Sequence, residues 1–185
     1  PSPLNYTGGK FKLLPQLLPL FPQKMEQMVD LFCGGCNVGL NVPVNKVLFN
    51  DTNPWLTGLF GVLEGMEEDQ VFRQVEGLID RFGLSKSWRF GYAYYRCENS
   101  GDGLASYNRE PYRKLRAAFN EKKERDEEYF LMLYVLIVYS FNNQIRFNRK
   151  GEFNLPVGKR DFNLRMQKKL RDFLERVKSG DYTFA

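Results

Sequence analysis

Histidine is absent from the 185 residues, and cysteine occurs only at Cys33, Cys36 and Cys97. Without histidine, the chain can form neither a histidine general base nor a Ser-His-Asp triad. One Cys-x-x-C pair offers too few ligands for a four-ligand zinc site, so we expect no metal. A redox dithiol at Cys33 and Cys36 stays open, although the two glycines between them favour a loop that contacts a ligand. So few cysteines also indicate a reducing, intracellular setting.

Long hydrophobic runs are missing as well. The apolar stretch over 129–141 is too short to span a bilayer and is typical of a buried helix, so we expect no membrane contact. Positive charge is present, since the net charge is +5 at pH 7, and this favours a polyanionic partner. Aromatic residues make up 15% of the chain, which suits base stacking, although most phenylalanines are expected to pack in the core.

Two short apolar strands are predicted near the beginning of the chain, at about 28–32 and 46–50, with a helix at about 36–42 between them. Such a β-α-β unit is expected to be parallel and right-handed. Residues 55–140 are typical of helices with charged outer surfaces. The chain is therefore expected to begin as an α/β unit and to continue as a mostly helical region.

The pattern changes again after residue 140. Alternation on both sides of a glycine-containing turn predicts a β-hairpin over about 141–157. A helix at about 163–178 and a strand at 181–184 are expected to follow it. We find no internal repeat and no low-complexity segment.

The turn after the first strand carries the strongest functional signal. Asp30 lies within the predicted first strand, Gly34 and Gly35 follow it, and Asp51 comes directly after the second strand. Glycines let the backbone approach a ligand closely, and a carboxylate after the second strand can accept hydrogen bonds from ribose hydroxyls. The alternative role for Asp51 is an Asx turn or a helix cap. The combination predicts a nucleoside pocket at the edge of a parallel sheet.

A second glycine pair lies in the segment Tyr6-Thr7-Gly8-Gly9-Lys10. It suggests a phosphate loop at first sight, but the Walker pattern needs glycine where Leu4 stands and Ser or Thr where Phe11 stands. We therefore reject an NTPase loop. Lys10 could instead pair with a ligand carboxylate or a DNA phosphate, and the alternative is a solvated surface turn.

The predicted hairpin is unusually rich in amides. Amide side chains can contact adenine through two hydrogen bonds, arginine can contact guanine in the same way, and an aromatic ring can wedge between bases. Basic residues beside them could hold phosphates. A polar, exposed hairpin without a partner is the alternative, but the amide density and the overall charge favour DNA. The predicted DNA-contacting residues are Phe141, Asn142, Asn143, Gln144, Arg146, Asn148, Arg149, Pro156, Lys159 and Arg160.

Five blocks, taken together, resemble the Dam-type DNA adenine-N6 methyltransferases. They occur in the family's order, from about Asn5 to the last residue, which makes the resemblance far more specific than any single block. The blocks are Tyr6-Thr7-Gly8-Gly9-Lys10, Val29-Asp30-Leu31-Phe32-Cys33-Gly34-Gly35, Asn50-Asp51-Thr52-Asn53, the segment 112–120 and the segment 141–158.

This resemblance implies a Rossmann-like α/β domain that binds S-adenosylmethionine, with an inserted, mostly helical target-recognition lobe that carries the hairpin. The implied boundaries are 1–55 for the cofactor-binding part, 56–160 for the lobe, and 161–185 for a truncated return to the catalytic domain. The substrate would be adenine N6 in double-stranded DNA, at GATC-like sites, and Arg146 would contact a guanine. The residues implied for the cofactor are Tyr6, Thr7, Gly8, Gly9, Lys10, Asp30, Phe32, Cys33, Gly34, Gly35 and Asp51.

The family's catalytic motif, Asp-Pro-Pro-Tyr, occurs nowhere in the chain. Chemistry at an exocyclic amine needs a flipped base held by such residues, so we assign no catalytic residue and expect the chain alone to be inactive. The rest of the enzyme is expected to be cut away or to lie on another polypeptide. Two other hypotheses stay open: a catalytically incomplete DNA-binding protein, and another nucleotide-dependent enzyme on a Rossmann-like core. The expected location is cytoplasmic, with the nucleoid.

Overall fold

The computed structural model describes residues 2–6 and 8–185. It is a mixed α/β structure with a parallel sheet whose strands lie in the order β1 (Gln27–Asp30), β2 (Lys46–Phe49) and β3 (Asp181–Phe184). The chain separates into two compact units, one made of Pro1–Glu68 with Lys169–Ala185 and one made of Asp69–Lys168. The α-helices are α1 (Leu14–Leu17), α2 (Pro54–Gly65), α3 (Glu68–Phe82), α4 (Ser87–Phe90), α5 (Ala105–Glu121), α6 (Glu127–Tyr139) and α7 (Leu164–Val177).

Phenylalanine side chains hold the sheet of the first unit to its helices. Phe49 of β2 is fully buried and stacks on Phe184 of β3, with 4.9 Å between ring centroids. Phe60 of α2 lies 5.2 Å from Phe173 of α7 and 5.9 Å from Phe184, again between centroids. Burying rings of this size dominates the energetics of a small core. The predicted strands are confirmed, with bounds that differ by one or two residues at the ends of β1 and β2.

The opposite face of the sheet is open. Val29 of β1 pairs in register with Leu48 of β2, and Leu48 pairs with Thr183 of β3. The exposed fractions are 55% for Val29 and 38% for Leu48, and Leu31, directly after β1, is 56% exposed. Parallel sheets in proteins are usually covered on both faces. The apolar side chains of this open face are therefore unusual for a parallel sheet.

The helix predicted at about 36–42 is wrong. Residues 31–42 form a series of turns instead, in which Leu40 donates to the carbonyl of Cys36 and Asn41 to the carbonyl of Val38. Cys36 has φ of +57°, a left-handed conformation that a right-handed helix cannot contain. Turns therefore join β1 to β2 in place of the predicted helix.

The second unit is built around α6. Its residues from Tyr129 to Tyr139 are all buried, because the helix is apolar on every side. Asp126 caps its beginning by accepting a hydrogen bond from the backbone N–H of Tyr129 at 2.8 Å. The ring of Phe119 from α5 stacks on Tyr129, with centroids 4.4 Å apart. Among the residues that the structure describes, no helix is both long and apolar enough to cross a membrane.

The predicted hairpin is an irregular antiparallel return. Its two sides meet at two isolated bridges, Ser140 with Val157 and Phe147 with Phe153, and no regular strand forms over these described residues. Asn142 and Asn143, at its beginning, have φ of +56° and +52°. Two successive left-handed residues turn the chain sharply and prevent an extended ladder there.

Candidate functional site

A cavity of about 490 Å³ opens in the first unit where β1 and β2 end. Every residue predicted to bind the cofactor and described by the structure lines it, whereas Thr7 lies outside the described residues. Asn37, Val38 and Thr52 complete the lining. The predicted residues along it are Tyr6, Gly8, Gly9, Lys10, Asp30, Phe32, Cys33, Gly34, Gly35 and Asp51.

Asp51 forms hydrogen bonds to both of the turns that follow β1 and β2. Its Oδ2 accepts a hydrogen bond from the Gly34 N–H at 2.9 Å, and its Oδ1 accepts one from the Asn53 N–H at 3.0 Å. The second bond is the Asx turn considered from the sequence, and the helix cap of α2 is Asn53, whose Oδ1 accepts from the Trp55 N–H at 3.1 Å. An ionised carboxylate has about four acceptor positions, so Asp51 can still accept hydrogen bonds from a ligand.

Two glycines on the cavity wall have no room for a side chain. A Cβ on Gly34 would lie 2.8 Å from Cε1 of Tyr6, and the residue has φ of +47°. A Cβ on Gly35 would lie 2.9 Å from Oγ of Ser2. The glycines therefore let the Tyr6 ring and the segment at Ser2 pack directly on the turn backbone.

The second carboxylate of the cavity, Asp30, accepts a hydrogen bond from the Gly39 N–H at 3.0 Å. Burial raises the pKa of Asp30 above its usual range, and the negative charge of Asp51 adds to the rise, while the Gly39 amide opposes it. Gly39 also requires glycine, because a Cβ there would lie 2.4 Å from the ring of Phe49. Asp30 thus anchors the turn at a third point.

The cysteine pair lies in the same wall. Cys36 is fully buried, and burial raises the pKa of its thiol well above the usual value, with the contact to Cys33 as the next cause. A thiol of raised pKa stays protonated at neutral pH and is a poor nucleophile. The pair therefore supports the structure of the turn better than it supports dithiol chemistry. Among the described residues, no group of three or more Cys, Asp and Glu side chains could hold a metal ion.

The cavity combines features that suit a nucleoside-like ligand. Its volume lies within the roughly 300–1,000 Å³ that is usual for small-molecule sites. Phe32 is 74% exposed on its wall and offers a ring face, and Lys10 offers an ammonium group whose Nζ donates to the Gly8 carbonyl at 2.7 Å. Carboxylates, backbone amides, a cation and an aromatic ring can together bind hydroxyls, a carboxylate and a heterocycle.

In the second unit, the irregular return of residues 140–157 presents cations and an aromatic ring to solvent. Phe141 is 52% exposed. Arg146 donates from Nε to Oδ1 of Asn154 at 2.8 Å and from Nη2 to the Asn154 carbonyl at 3.1 Å. Lys159 lies against the loop before α5, where its Nζ is 3.4 Å from the Gly101 carbonyl. The other predicted DNA-contacting residues that are exposed are Asn142, Arg149, Pro156 and Arg160.

Two amides predicted to contact DNA form hydrogen bonds to nearby backbone groups. Asn143 is only 8% exposed, and its Nδ2 donates to the carbonyl of Val138. Asn148 organises the tip of the return, because its Oδ1 accepts from the N–H groups of Lys150 and Glu152 at 2.9 and 3.0 Å. Both side chains stabilise the backbone around the return, and their contact with DNA stays a prediction. Gln144 is half-buried.

Charge is divided unequally between the two units. Residues 69–168 contain 19 of the 27 lysine and arginine side chains but 13 of the 22 acidic ones, so the positive excess of the chain lies there. The first unit is close to neutral by the same count. This is the distribution expected when one unit meets a polyanion and the other a small ligand.

Three residues of these sites were missed from the sequence. Asn37 lines the cavity, and its Oδ1 accepts from the Ser2 N–H at 3.1 Å. Val38 lines it as well, within the turns where the sequence predicted a helix. Asn154, the partner of Arg146, carried no signal, because pairing across an irregular return cannot be deduced from alternation.

Comparison with known proteins gives a consistent match. A family model described as D12 class N6 adenine-specific DNA methyltransferase matches residues 6–185. The chain is 37% identical to Type II methyltransferase M.FokI of Planomicrobium okeanokoites, over 99% of this chain and 25% of that protein. It is 36% identical to Modification methylase StsI of Streptococcus sanguinis, over 99% of this chain and 24% of that protein. It is 27% identical to a DNA adenine methylase of Haemophilus influenzae, over 96% of this chain and 54% of that protein.

Proposed function

The chain belongs to the D12 class of N6 adenine-specific DNA methyltransferases, and from that membership we propose that it binds S-adenosylmethionine and recognises adenine sites in double-stranded DNA. The observation that carries the proposal is the cavity where β1 and β2 end, which is lined by all the described residues expected to hold the cofactor. S-adenosylmethionine supplies an electrophilic methyl group when it is bound. The protein would then provide the binding and positioning functions of a methyltransferase acting at adenine N6.

Several residues of the cavity suit S-adenosylmethionine. Asp51 would accept hydrogen bonds from the ribose hydroxyls, since its carboxylate is already held in place by two backbone amides. Tyr6 and Lys10 would contact the cofactor beside the turn, and Phe32 offers an exposed ring for its heterocycle. Gly34 and Gly35 keep the wall free of side chains. The volume of about 490 Å³ is adequate for a ligand of this size.

The second unit would bind the DNA. Its positive excess would supply general attraction to phosphates, and Arg146, whose guanidinium donates to Asn154, would contact a base edge. Lys159 and Arg160 would contact phosphates. Recognition of a GATC-like site, and the role of residues 69–168 as an inserted target-recognition lobe, belong to the same proposal.

The chain spans about a quarter of the length of the first two relatives. The open face of the sheet at Val29, Leu31 and Leu48 is an obvious place for further polypeptide to pack. We infer that the residues acting on the flipped adenine are supplied by that further polypeptide, in the same chain or a partner chain. An enzyme of this kind would work in the cytoplasm, on the nucleoid.

Isothermal calorimetry with S-adenosylmethionine tests the cofactor assignment directly. We expect saturable binding by the purified chain and no displacement by a nicotinamide dinucleotide. Displacement by the dinucleotide would favour the other nucleotide-dependent enzyme, and binding of duplex DNA without S-adenosylmethionine binding would favour a DNA-binding protein without chemistry. Binding of neither ligand would contradict the proposal.

A further inference from the structure

A second cavity, of about 570 Å³, lies in the second unit and is not used by the function proposed above. The loop that follows α4 and the beginning of α5 form its walls. Three tyrosines, Tyr94, Tyr95 and Tyr107, line it together with Arg96 and Asp102. We call this cavity the tyrosine groove.

Aromatic rings form a continuous row along the groove. Phe90 stacks on Tyr94 with centroids 4.9 Å apart, Tyr94 meets Tyr95 edge-on at 5.0 Å, and Tyr95 meets Tyr107 at 4.5 Å. Only Tyr95 is buried, since Phe90, Tyr94 and Tyr107 are 44%, 66% and 43% exposed. Exposed rings that lie together commonly mark a binding surface rather than a core.

Positive charge accompanies the rings. Arg89 lies over the ring of Phe90, with its guanidinium carbon 5.4 Å from the centroid, whereas Lys86, whose Nζ is 5.8 Å from that centroid, is already paired with Asp80. The exposed Arg96 lies on the wall itself. Asp102 is the acidic residue of the wall, and its Oδ2 already accepts the N–H groups of Glu98 and Asn99 at 3.1 and 3.2 Å. Those amides partly balance its charge, so the groove favours an anion.

The groove is continuous with the surface proposed to hold phosphates. Gly103, in its wall, packs so closely on Lys159 that a Cβ there would lie 2.7 Å from the Lys159 Cβ. The Leu104 N–H donates to the Lys159 carbonyl at 3.0 Å. A DNA backbone that contacts Lys159 would therefore pass close to the loop that forms the groove.

We propose that the tyrosine groove binds the sugar–phosphate backbone of duplex DNA outside the recognised bases. Arg96 pairs with a phosphate, and the hydroxyls of Tyr94 and Tyr107 donate hydrogen bonds to phosphate oxygens while their rings lie against the deoxyribose. Such contacts add affinity without adding sequence preference. This inference rests on the proposed function, because it extends the same DNA-binding surface.

The test measures duplex affinity at several salt concentrations for the 185-residue chain and four variants. Arg96→Gln removes one charge from the groove, and Lys114→Gln removes one from the exposed side of α5 as the matched control. The double variant Tyr94→Phe with Tyr107→Phe removes the hydroxyls and keeps the rings. Two 30-base-pair duplexes are used, one selected for tight binding from a random pool and one scrambled.

We expect Arg96→Gln to flatten the slope of log affinity against log salt by about 0.9, the value for one phosphate contact. Lys114→Gln should leave the slope unchanged. The tyrosine double variant should weaken binding to both duplexes equally, by roughly twofold to tenfold for each hydroxyl. Arg96→Lys, which keeps the charge, should restore the slope.

The outcomes separate this inference from the function on which it rests. If the unaltered chain bound neither duplex, both would be wrong. If it bound them but Arg96→Gln had the slope of the unaltered chain, the groove would not contact DNA and the proposed function would stand. If the tyrosine double variant bound as tightly as the unaltered chain, or lost affinity for the selected duplex alone, the assignment of the hydroxyls to phosphates would be overturned.

Discussion

Asn154 accepts two hydrogen bonds from the guanidinium of Arg146, one on its side-chain oxygen at 2.8 Å and one on its backbone carbonyl at 3.1 Å. The pair joins the two sides of the irregular return. Two N–H groups of the guanidinium are engaged in this way, and arginine has five, so the others remain for a second planar partner. The contact orients an exposed arginine that would otherwise sample many rotamers.

The first prediction concerns this pair. Arg146→Ala should reduce discrimination between a selected duplex and a scrambled one by roughly 1–3 kcal/mol, the value of a guanine contact through two hydrogen bonds. Asn154→Ala should reduce discrimination in the same direction but less, because it leaves the guanidinium in place and removes only the contact to the side-chain oxygen. The measurement is the ratio of the two dissociation constants for each variant.

Lys159→Ala is the control for this comparison. Lys159 is expected to contact a phosphate. Its loss should therefore weaken binding to both duplexes equally and leave the ratio of the two dissociation constants unchanged. If Arg146→Ala lowered the affinity for both duplexes equally, that arginine would be assigned to a phosphate as well. The Asn154 contact would then have only a structural role.

The second prediction concerns Asp51. Asp51→Ala should weaken S-adenosylmethionine binding by roughly 1.5–3 kcal/mol, because a charge-assisted hydrogen bond to the ribose is lost. It should also lower the free energy of unfolding, since the amides of Gly34 and Asn53 lose their acceptor. Asp51→Asn keeps one carbonyl oxygen. Its cofactor affinity, measured by calorimetry, and its thermal stability should therefore lie between those of the unaltered chain and of Asp51→Ala. Unchanged cofactor affinity in folded Asp51→Ala would reject the ribose assignment.

The third prediction uses two glycines as a matched pair. Gly34→Ala places a methyl group 2.8 Å from the Tyr6 ring at φ of +47°, so the ring must move and the backbone is strained by about 1–2 kcal/mol. We expect lower stability and weaker cofactor binding. Gly77→Ala, in an exposed and open position of α3, should instead stabilise the protein by about 0.5–1 kcal/mol and leave binding unchanged. Cofactor affinity lowered equally by both substitutions would argue against a specific role for the Gly34 wall.

The cavity could be predicted from the sequence because its signals are local. Asp30 in the predicted first strand, a glycine-rich turn and Asp51 after the second strand lie within 22 residues, and parallel strands bring their carboxyl ends to one edge. The turns at 36–42 were predicted as a helix, because a single left-handed residue such as Cys36 leaves no mark in the pattern of apolar residues. The backbone contacts of Asn143 and Asn148 could not be predicted for a related reason. An amide side chain that hydrogen-bonds to nearby backbone and one that contacts a DNA base occur in the same sequence pattern.

The fourth prediction is a pH dependence from Asp161. This carboxylate is fully buried and accepts hydrogen bonds from the hydroxyls of Ser85 and Ser87 and from the Ser87 N–H. Burial raises its pKa above the ordinary value of 3.8, and the hydrogen bonds oppose the rise. The folded state therefore binds the proton more tightly than the unfolded state.

The stabilisation from protonated Asp161 is complete below the unfolded pKa and is lost as pH rises through the folded pKa. Urea unfolding of the unaltered chain and of Asp161→Asn, measured from pH 3 to pH 7, isolates this group. The unfolding free energy of the unaltered chain minus that of the variant should fall with increasing pH across that window. A difference that rises would show that the hydrogen bonds outweigh burial, and a constant difference would show that the two effects cancel; either result would contradict the prediction.

The last prediction is that this chain alone transfers no methyl group to DNA. Methylation at adenine N6 needs a base outside the helix, a ring stacked on it, and acceptors for the amino hydrogens. The Asp-Pro-Pro-Tyr residues that would supply them are not in the sequence, and the look-alike Asn53-Pro54-Trp55 forms the beginning of α2, where Asn53 uses its side-chain oxygen as the helix cap. Tritiated methyl groups from S-adenosylmethionine should therefore not be incorporated into plasmid DNA by the purified chain, although the same preparation binds the cofactor. An active DNA adenine methylase, assayed in parallel as the positive control, should give incorporation. Incorporation by the 185-residue chain itself would mean that an unrecognised set of side chains, on one of the two units, holds the flipped adenine.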